Sequence, residues 1–169
     1  MTVSGPALHA MNARARLRPA AAAAALALAL AACATEPARQ AGPVSVSTAD
    51  APAAARLVSA WRAAHGLGPV RVDPALNAPA AEQAAATARL GRLDHGDFAG
   101  RMARYGAPGA AAENLGAGAR DAAAAIERWK RSAGHNRNML DPKMRRIGFA
   151  RADAPGQRYG TFWALVLAE

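Results

Sequence analysis

The chain has one cysteine, Cys33, among 169 residues, and eight aromatic side chains. One cysteine excludes an internal disulfide. Acid is also scarce, with 12 Asp+Glu against 21 Lys+Arg and a net charge of +9. The uninterrupted apolar run from Ala20 to Ala32 falls short of the roughly 20 residues that a permanent membrane span needs. The sequence contains no His-x-x-x-His spacing and no glycine-framed serine elbow, so neither a local zinc motif nor a hydrolase nucleophile turn can be read from it. The hydrophobic fraction of 52% is inflated by alanine. All eight aromatics (Trp61, Phe98, Tyr105, Trp129, Phe149, Tyr159, Phe162 and Trp163) lie beyond residue 60, which places the core in the C-terminal two thirds. A domain of about 120 residues is large enough to bury such a core without covalent staples.

The first 33 residues read as an address. Arg14, Arg16 and Arg18 form a positive segment, the apolar run follows, and "LAAC" ends on Cys33 behind small residues. This order is that of a signal peptide, and the cysteine step resembles the bacterial lipoprotein signal, in which that residue is lipidated and becomes the mature N-terminus. Met11 would start a signal of ordinary length. An incidental small hydrophobe is the plain alternative for Cys33. Lipidation predicts an envelope protein facing the periplasm, with Ala34 in the next position favouring the outer membrane over retention at the inner one. Residues 34–49, rich in Pro, Ser, Thr and Ala, then read as a flexible tether, and residues 50–169 as the folded domain. Without the three signal arginines the charge is still +6, from 18 Lys+Arg and 12 Asp+Glu. In an envelope protein that balance points to anionic glycans or lipid headgroups rather than nucleic acid; it also serves plain solubility.

Along the domain, Asp50 is placed to cap a first helix that carries Leu57, Ala60, Trp61 and Ala64 at helical spacing and stops at Gly66. Pro79 sits awkwardly in the next helical stretch, so Asn77 is expected as its cap, with Gly91 ending it. "FAGRMARYG" forms a short helix, residues 106–120 a glycine- and alanine-rich loop, and Asp121 caps a helix with Ala122, Ile126, Trp129 and Ala133 inward, stopped by Gly134. Two strands close the chain. "RRIGFAR" alternates, whereas "RYGTFWALVL" is apolar on both faces, as a central strand covered on each side would be. The expected class is α+β, helices packed on an antiparallel sheet.

Four polar residues have the chemistry of a site: His95 in "LDHGD", Glu113 in "AENLGAG", and Ser132 and His135 in "RSAGHNRNML". Two neutral imidazoles can hold zinc or another divalent metal. A carboxylate beside them can complete a His₂Glu set or orient bound water. A structural histidine and a glutamate bonded to backbone amides account for the same residues. Ser132 is an ordinary helix-end serine. His65 reads as a surface residue in a last helical turn, where positive charge suits the dipole. Asn136 and Asn138 are able to order the stretch around His135. Arg128, Lys130, Arg131, Arg137, Lys143, Arg145 and Arg146 form a basic cluster that suits anionic glycans or lipids, or simply a solvated face.

The succession "GLGPVRVDPAL", "LDH", "ENLGAG", "IERWKRSAGHNRNML", "RRIGFA" and "YGTFWALV" resembles the CAP (SCP-like) superfamily of cysteine-rich secretory, antigen 5 and pathogenesis-related proteins, in its short bacterial branch, over residues 54–167. The resemblance implies a three-layer α-β-α sandwich with a central antiparallel sheet. It also implies a cavity in which His95, Glu113 and His135 match three of four polar positions, Asn114 follows the glutamate, and Ser132 stands where the second glutamate usually lies. Two functions follow as expectations. One is a binding or structural module recognising a lipid, glycan or wall-derived ligand; the other is a divalent-metal-assisted peptidase or wall hydrolase using His95, Glu113 and His135, with Glu113 as its catalytic group. Oligomeric state is not legible.

Overall fold

In the computed structural model, five helices lie on the two faces of a five-stranded sheet, among the described residues 1–2, 42–107 and 109–169. The expected signal segment from residue 3 on, Cys33 and the first half of the tether, residues 34–41, lie outside the described residues. The order is β1 (Ser45–Ser47), α1 (Ala51–Ala63), β2 (Arg71–Val72), α2 (Pro74–Leu90), α3 (Phe98–Arg104), β3 (Ala111–Ala117), α4 (Ala122–Lys130), α5 (Ala133–Met139), β4 (Arg146–Ala154) and β5 (Gly160–Ala168). Across the sheet the strands run β1-β4-β5-β3, and all of these pairs are antiparallel. The short β2 adds a parallel pairing to the start of β4, so the sheet is not purely antiparallel.

Strand β5 is the central one, and its two-residue period divides the core. Trp163, Leu165 and Leu167 join Ile147 and Phe149 of β4 under α1 and α4, with Val58, Ile126 and Trp129 packed on them. Phe162, Ala164 and Val166 face the other way, against Leu76, Ala80, Ala84 and Ala88 of α2 and Met102 of α3. The result is the α-β-α sandwich expected from a strand apolar on both faces. Alanine, which inflates the composition, has a packing use here: the alanine stripe of α2 faces Ala150 and Ala152 of β4. Close approach is needed there. A Cβ on Gly148 would overlap the Leu76 backbone.

Several local expectations change. Helix α2 begins four residues earlier than expected: Asp73 is its cap, accepting from the Ala75 amide at 2.9 Å, and Pro79 is accommodated inside the helix. Asn77 instead accepts the Phe149 amide at 3.0 Å, which satisfies β4 between the stretches paired with β2 and β1. Asp50 occupies the cap position of α1 but makes no side-chain cap bond. Residues 45–47, within the stretch read as tether, form β1, because β4 offers a free edge for them to pair with. The stretch 111–117, read as loop from its glycine and alanine, is strand β3; its pairing with the strongly apolar β5 outweighs its own poor strand propensity. Gly134 does not end the α4 helix. The chain breaks at Arg131–Ser132 and restarts as α5, with Ser132 at the N-cap position.

Arg62, on the inner face of α1, is completely buried. Its guanidinium donates to the carbonyls of Gly68 at 2.7 Å, Met139 and Asp141 at 2.8 Å each, and Met144 at 3.0 Å. It thereby joins α1 to the end of α5 and to the segment that leads into β4. Four good acceptors are what allow a cation to be buried there.

Candidate functional site

The site is built along the outer edge of β3. Glu113 and Asn114 are consecutive on this strand, so their side chains emerge on opposite faces of the sheet. Glu113 points to the α2–α3 side and Asn114 to the α4–α5 side.

Glu113 is fully engaged. Its Oε1 is 2.8 Å from His95 Nδ1, and its Oε2 accepts from Nη2 of Arg101. The Glu113 and Arg101 side chains are 2% and 4% exposed, whereas that of His95 is 56% exposed. Arg101 also donates from Nη1 to the His95 carbonyl at 3.3 Å, and its guanidinium lies 5.5 Å from the centre of the Phe98 ring. The cap of α3 supports this arrangement, because Asp97 accepts the Gly100 amide at 2.8 Å and fixes the turn that carries both His95 and Arg101. The bond between His95 Nδ1 and Glu113 selects the tautomer that leaves Nε2 as an acceptor toward solvent, when the imidazole is neutral.

On the other face, Asn114 donates to the His135 carbonyl at 3.0 Å and accepts from Asn138 at 2.9 Å. Asn138 also donates to the Glu113 carbonyl at 3.2 Å. His135 lies in the first turns of α5, half-buried, with its ring 6.3 Å from that of Trp129. Burial, and then the positive field of His95, hold the His135 imidazole below the ordinary histidine range. Asn136, the other asparagine beside it, accepts the Trp61 indole N–H at 2.8 Å and ties α5 to α1. The edge of β3 is thereby covered: Asn138, Trp129 and Arg128 donate to the carbonyls of Glu113, Leu115 and Ala117 in turn. Capping alternate carbonyls in this way blocks pairing with a further strand.

The structure therefore brings His95 and Glu113 into direct contact and places His135 near enough to feel the charge of His95. It also gives a different role to the acid. Glu113 stands behind His95 rather than beside an open coordination position, and it is held by a strand rather than by a loop. Among the described residues no group of three His, Cys, Asp or Glu side chains is arranged to hold a metal. Two imidazoles fit a divalent ion as a partial set only, and the His₂Glu arrangement is not assembled because Arg101 occupies the second carboxylate oxygen. Ser132 caps α5 without a side-chain cap bond, and no hydrogen bond joins its hydroxyl to His135 among the described residues. His65 is exposed, with Nδ1 2.8 Å from the Trp61 carbonyl, as its position in the last turn suggests. Arg101 was not among the expected site residues. It lies three residues after Phe98 and one before Met102, on the inner face of α3, and a cation at such a position requires a buried acid.

The residues that match a known family model run from 55 to 167, and that model describes the cysteine-rich secretory protein family, CAP. The chain belongs to this family. No curated protein matches it. Among solved structures, a cysteine-rich secretory protein from Staphylococcus aureus is similar with a TM-score of 0.56 and 18% identity, over 70% of this chain and 38% of that one. An extracellular protein containing an SCP domain from Bacillus anthracis gives 0.61 and 21%, over 70% and 39%. An outer surface protein from Borrelia burgdorferi gives 0.62 and 17%, over 71% and 92%. This chain thus spans less than half the length of the first two. At such identities the likeness is one of fold: the CAP sandwich is shared, while the polar network around Glu113 must be read from this chain's own residues.

Proposed function

We propose that this CAP-domain protein is a cell-envelope lipoprotein, lipidated at Cys33 and facing the periplasm, whose domain is a binding or structural module. The extracellular and outer-surface relatives of the same fold support an envelope location, and the signal-like N-terminus supports the anchor. The polar site of His95 and His135 takes a lipid, glycan or wall-derived ligand. The observation that carries this reading is the engagement of Glu113: both carboxylate oxygens are bonded, and its side chain is 2% exposed. A carboxylate so held is a poor general base and is not free to ligate. What reaches solvent is the His95 ring, oriented from behind as a recognition group is.

A second reading, a divalent-metal-assisted hydrolase, draws on the same 2.8 Å contact, because a carboxylate behind an imidazole also orients metal-ligating and proton-transferring histidines. A zinc ion there would be held by His95 and His135 and would supply Lewis acidity to a bound ligand. In that reading Glu113 is a positioning residue, not the base.

The test uses purified muropeptides with the whole protein and a His95→Ala variant, following both binding and release of products. Binding without turnover, weakened in the variant, supports the module. Turnover that the variant loses assigns the hydrolase instead.

A further inference from the structure

Three large exposed hydrophobic residues gather at one place, apart from Val46 and Tyr105 elsewhere on the surface. Leu90, Leu93 and Tyr159 are 55%, 45% and 44% exposed, and the last two line an open groove of about 460 Å³ together with Gly91, Arg92, Ala117 and Arg158. All of these belong to one end of the sheet. Strand β3 finishes there with Ala117 opposite Phe162, β4 finishes at Ala154, and β5 begins at Gly160. Helix α2 also ends there, with the Arg89 carbonyl bonded to Gln157 of the β4–β5 turn at 3.2 Å.

The same end receives the chain from its N-terminal side. Strand β1 runs antiparallel to β4 and starts with Ser45 opposite Asp153, one residue from the end of β4. Val44 is eleven residues on from Cys33, a stretch that spans at most about 40 Å. A lipid on Cys33 thus keeps this end of the sheet within a short reach of the bilayer, whatever path the linking residues take.

Charge at this end agrees with such a neighbour. Each nearby aspartate has an arginine of its own: Asp94 with Arg92, Asp121 with Arg120, and Asp153 with Arg151. Arg89 and Arg158 are exposed with no carboxylate partner among the described residues, and Arg158 lies over the Tyr159 ring at 5.5 Å. Leucines beside a tyrosine, flanked by uncompensated arginines, make the pattern of a surface that sits in the interfacial layer of an anionic membrane.

We infer that this end of the domain, centred on Leu90, Leu93, Tyr159 and Arg158, docks on the anionic lipid surface to which the chain is anchored. The inference rests on the anchor proposed above. The groove is lined by neither His95 nor Glu113: Glu113 lies four residues back along β3 from Ala117, about 13 Å away, while Leu93 is joined to His95 through Asp94.

The full acylated chain is reconstituted into vesicles with and without phosphatidylglycerol. An environment-sensitive fluorophore is attached at Leu93→Cys or, as the control from the opposite end of the sheet, at Lys143→Cys; both positions are exposed, and acylated Cys33 does not label. Brominated lipids are expected to quench the probe at residue 93 several-fold more than that at 143. The difference should require phosphatidylglycerol and shrink in an Arg89→Ser/Arg158→Ser variant. Equal quenching at the two positions overturns the inference, as does no quenching at 93, including the case in which cross-linking shows a second copy covering the groove. Mass spectrometry of the mature chain reads the anchor separately. An unacylated Cys33 sinks the anchor reading, and the labelled chain is then added to the vesicles in a Cys33→Ser background. Selective quenching at 93 keeps the docking surface, and its absence removes it.

Discussion

Arg101 donates to Oε2 of Glu113 in an ion pair from which solvent is almost excluded, the side chains being 4% and 2% exposed. The pair spans α3 and β3, and its other carboxylate oxygen holds His95. Site geometry and domain stability are thereby made to depend on the same two residues. The Nε of Arg101 has no partner among the described residues, so the guanidinium is held chiefly by Glu113 and by the His95 carbonyl.

Removing one member of this pair leaves the other buried and uncompensated, which costs about 3–5 kcal/mol. Arg101→Met and Glu113→Gln are each expected to lower the melting temperature by about 10 °C or more. The double variant should lose less than the two single losses added together, because it strands neither charge. A denaturant double-mutant cycle measures this coupling, and simple additivity would show that the pair is not an energetic unit. The same result explains why loss of function in Glu113→Gln, taken alone, cannot assign Glu113 to catalysis.

Arg62 makes a sharper stability prediction. Its four carbonyl acceptors come from three segments, and each orphaned buried acceptor costs about 1–3 kcal/mol. Arg62→Met should therefore fail to accumulate as folded protein. Arg62→Lys keeps the charge but not the planar fork, and is expected to melt at least about 10 °C below wild type. A lysine variant with unchanged thermal denaturation would mean that the carbonyls are satisfied in some other way.

Gly148 faces the α2 backbone with no room for a side chain, since an added Cβ would overlap Leu76. Gly148→Ala must push the start of α2 off the sheet, separating Leu76 and Ala80 from the core they share with Phe162 and Val166. Overpacking of this kind typically costs 1–3 kcal/mol, and more where backbone has to move. Circular-dichroism melting of Gly148→Ala beside Gly134→Ala, a glycine with open space around its Cβ position, would separate this clash from ordinary glycine effects. Equal melting of the two would refute it.

The pH dependence of stability should carry the mark of His135. Its folded pKa is lowered, first by burial and then by His95, so the unfolded chain takes up a proton more readily than the folded one. The associated stability is fully present above the ordinary value of 6.5. It falls as pH drops from that value through the lowered folded one. Melting temperatures between pH 7.5 and pH 5.5 should decline in wild type and be flatter in His135→Gln. Parallel profiles would place the slope elsewhere.

Much of this fold could be read from residue pattern because its signals are local or strongly periodic. Phe162 and Trp163 head a strand apolar on both faces, which is enough to require layers above and below it. Asp121, Gly91 and Gly66 punctuate helices by their own chemistry. Strand β3 was hidden, since Ala111, Gly116 and Ala117 have no strand preference and are extended only because β5 pairs with them. The bend at Ser132 was hidden for the same kind of reason: it is fixed by contacts of α5 with Asn114 and Trp61, far away in sequence. At the site, His95 and Glu113 were brought together only by the resemblance to the CAP family, whereas Arg101 was masked by the apolar helix that carries it. The one available signal was a cation on that helix's inward face. It determines what Glu113 is free to do.

Zinc binding separates the roles that remain. His95 offers Nε2 because Nδ1 is taken by Glu113, and His135 is kept neutral by its surroundings, so two lone pairs are available near one another. A third protein ligand would require Glu113 to leave Arg101, at the cost of exposing or stranding a buried guanidinium. Calorimetric titration of the whole protein is therefore expected to give zinc affinity weaker than low-micromolar, lost in His95→Ala/His135→Ala. Releasing the carboxylate should help the metal: Arg101→Met, if folded, should bind zinc more tightly than wild type. Low-micromolar or tighter binding by wild type, unaffected by Arg101→Met, would mean that Glu113 is not restrained as its contacts indicate. The hydrolase reading would then become the stronger of the two.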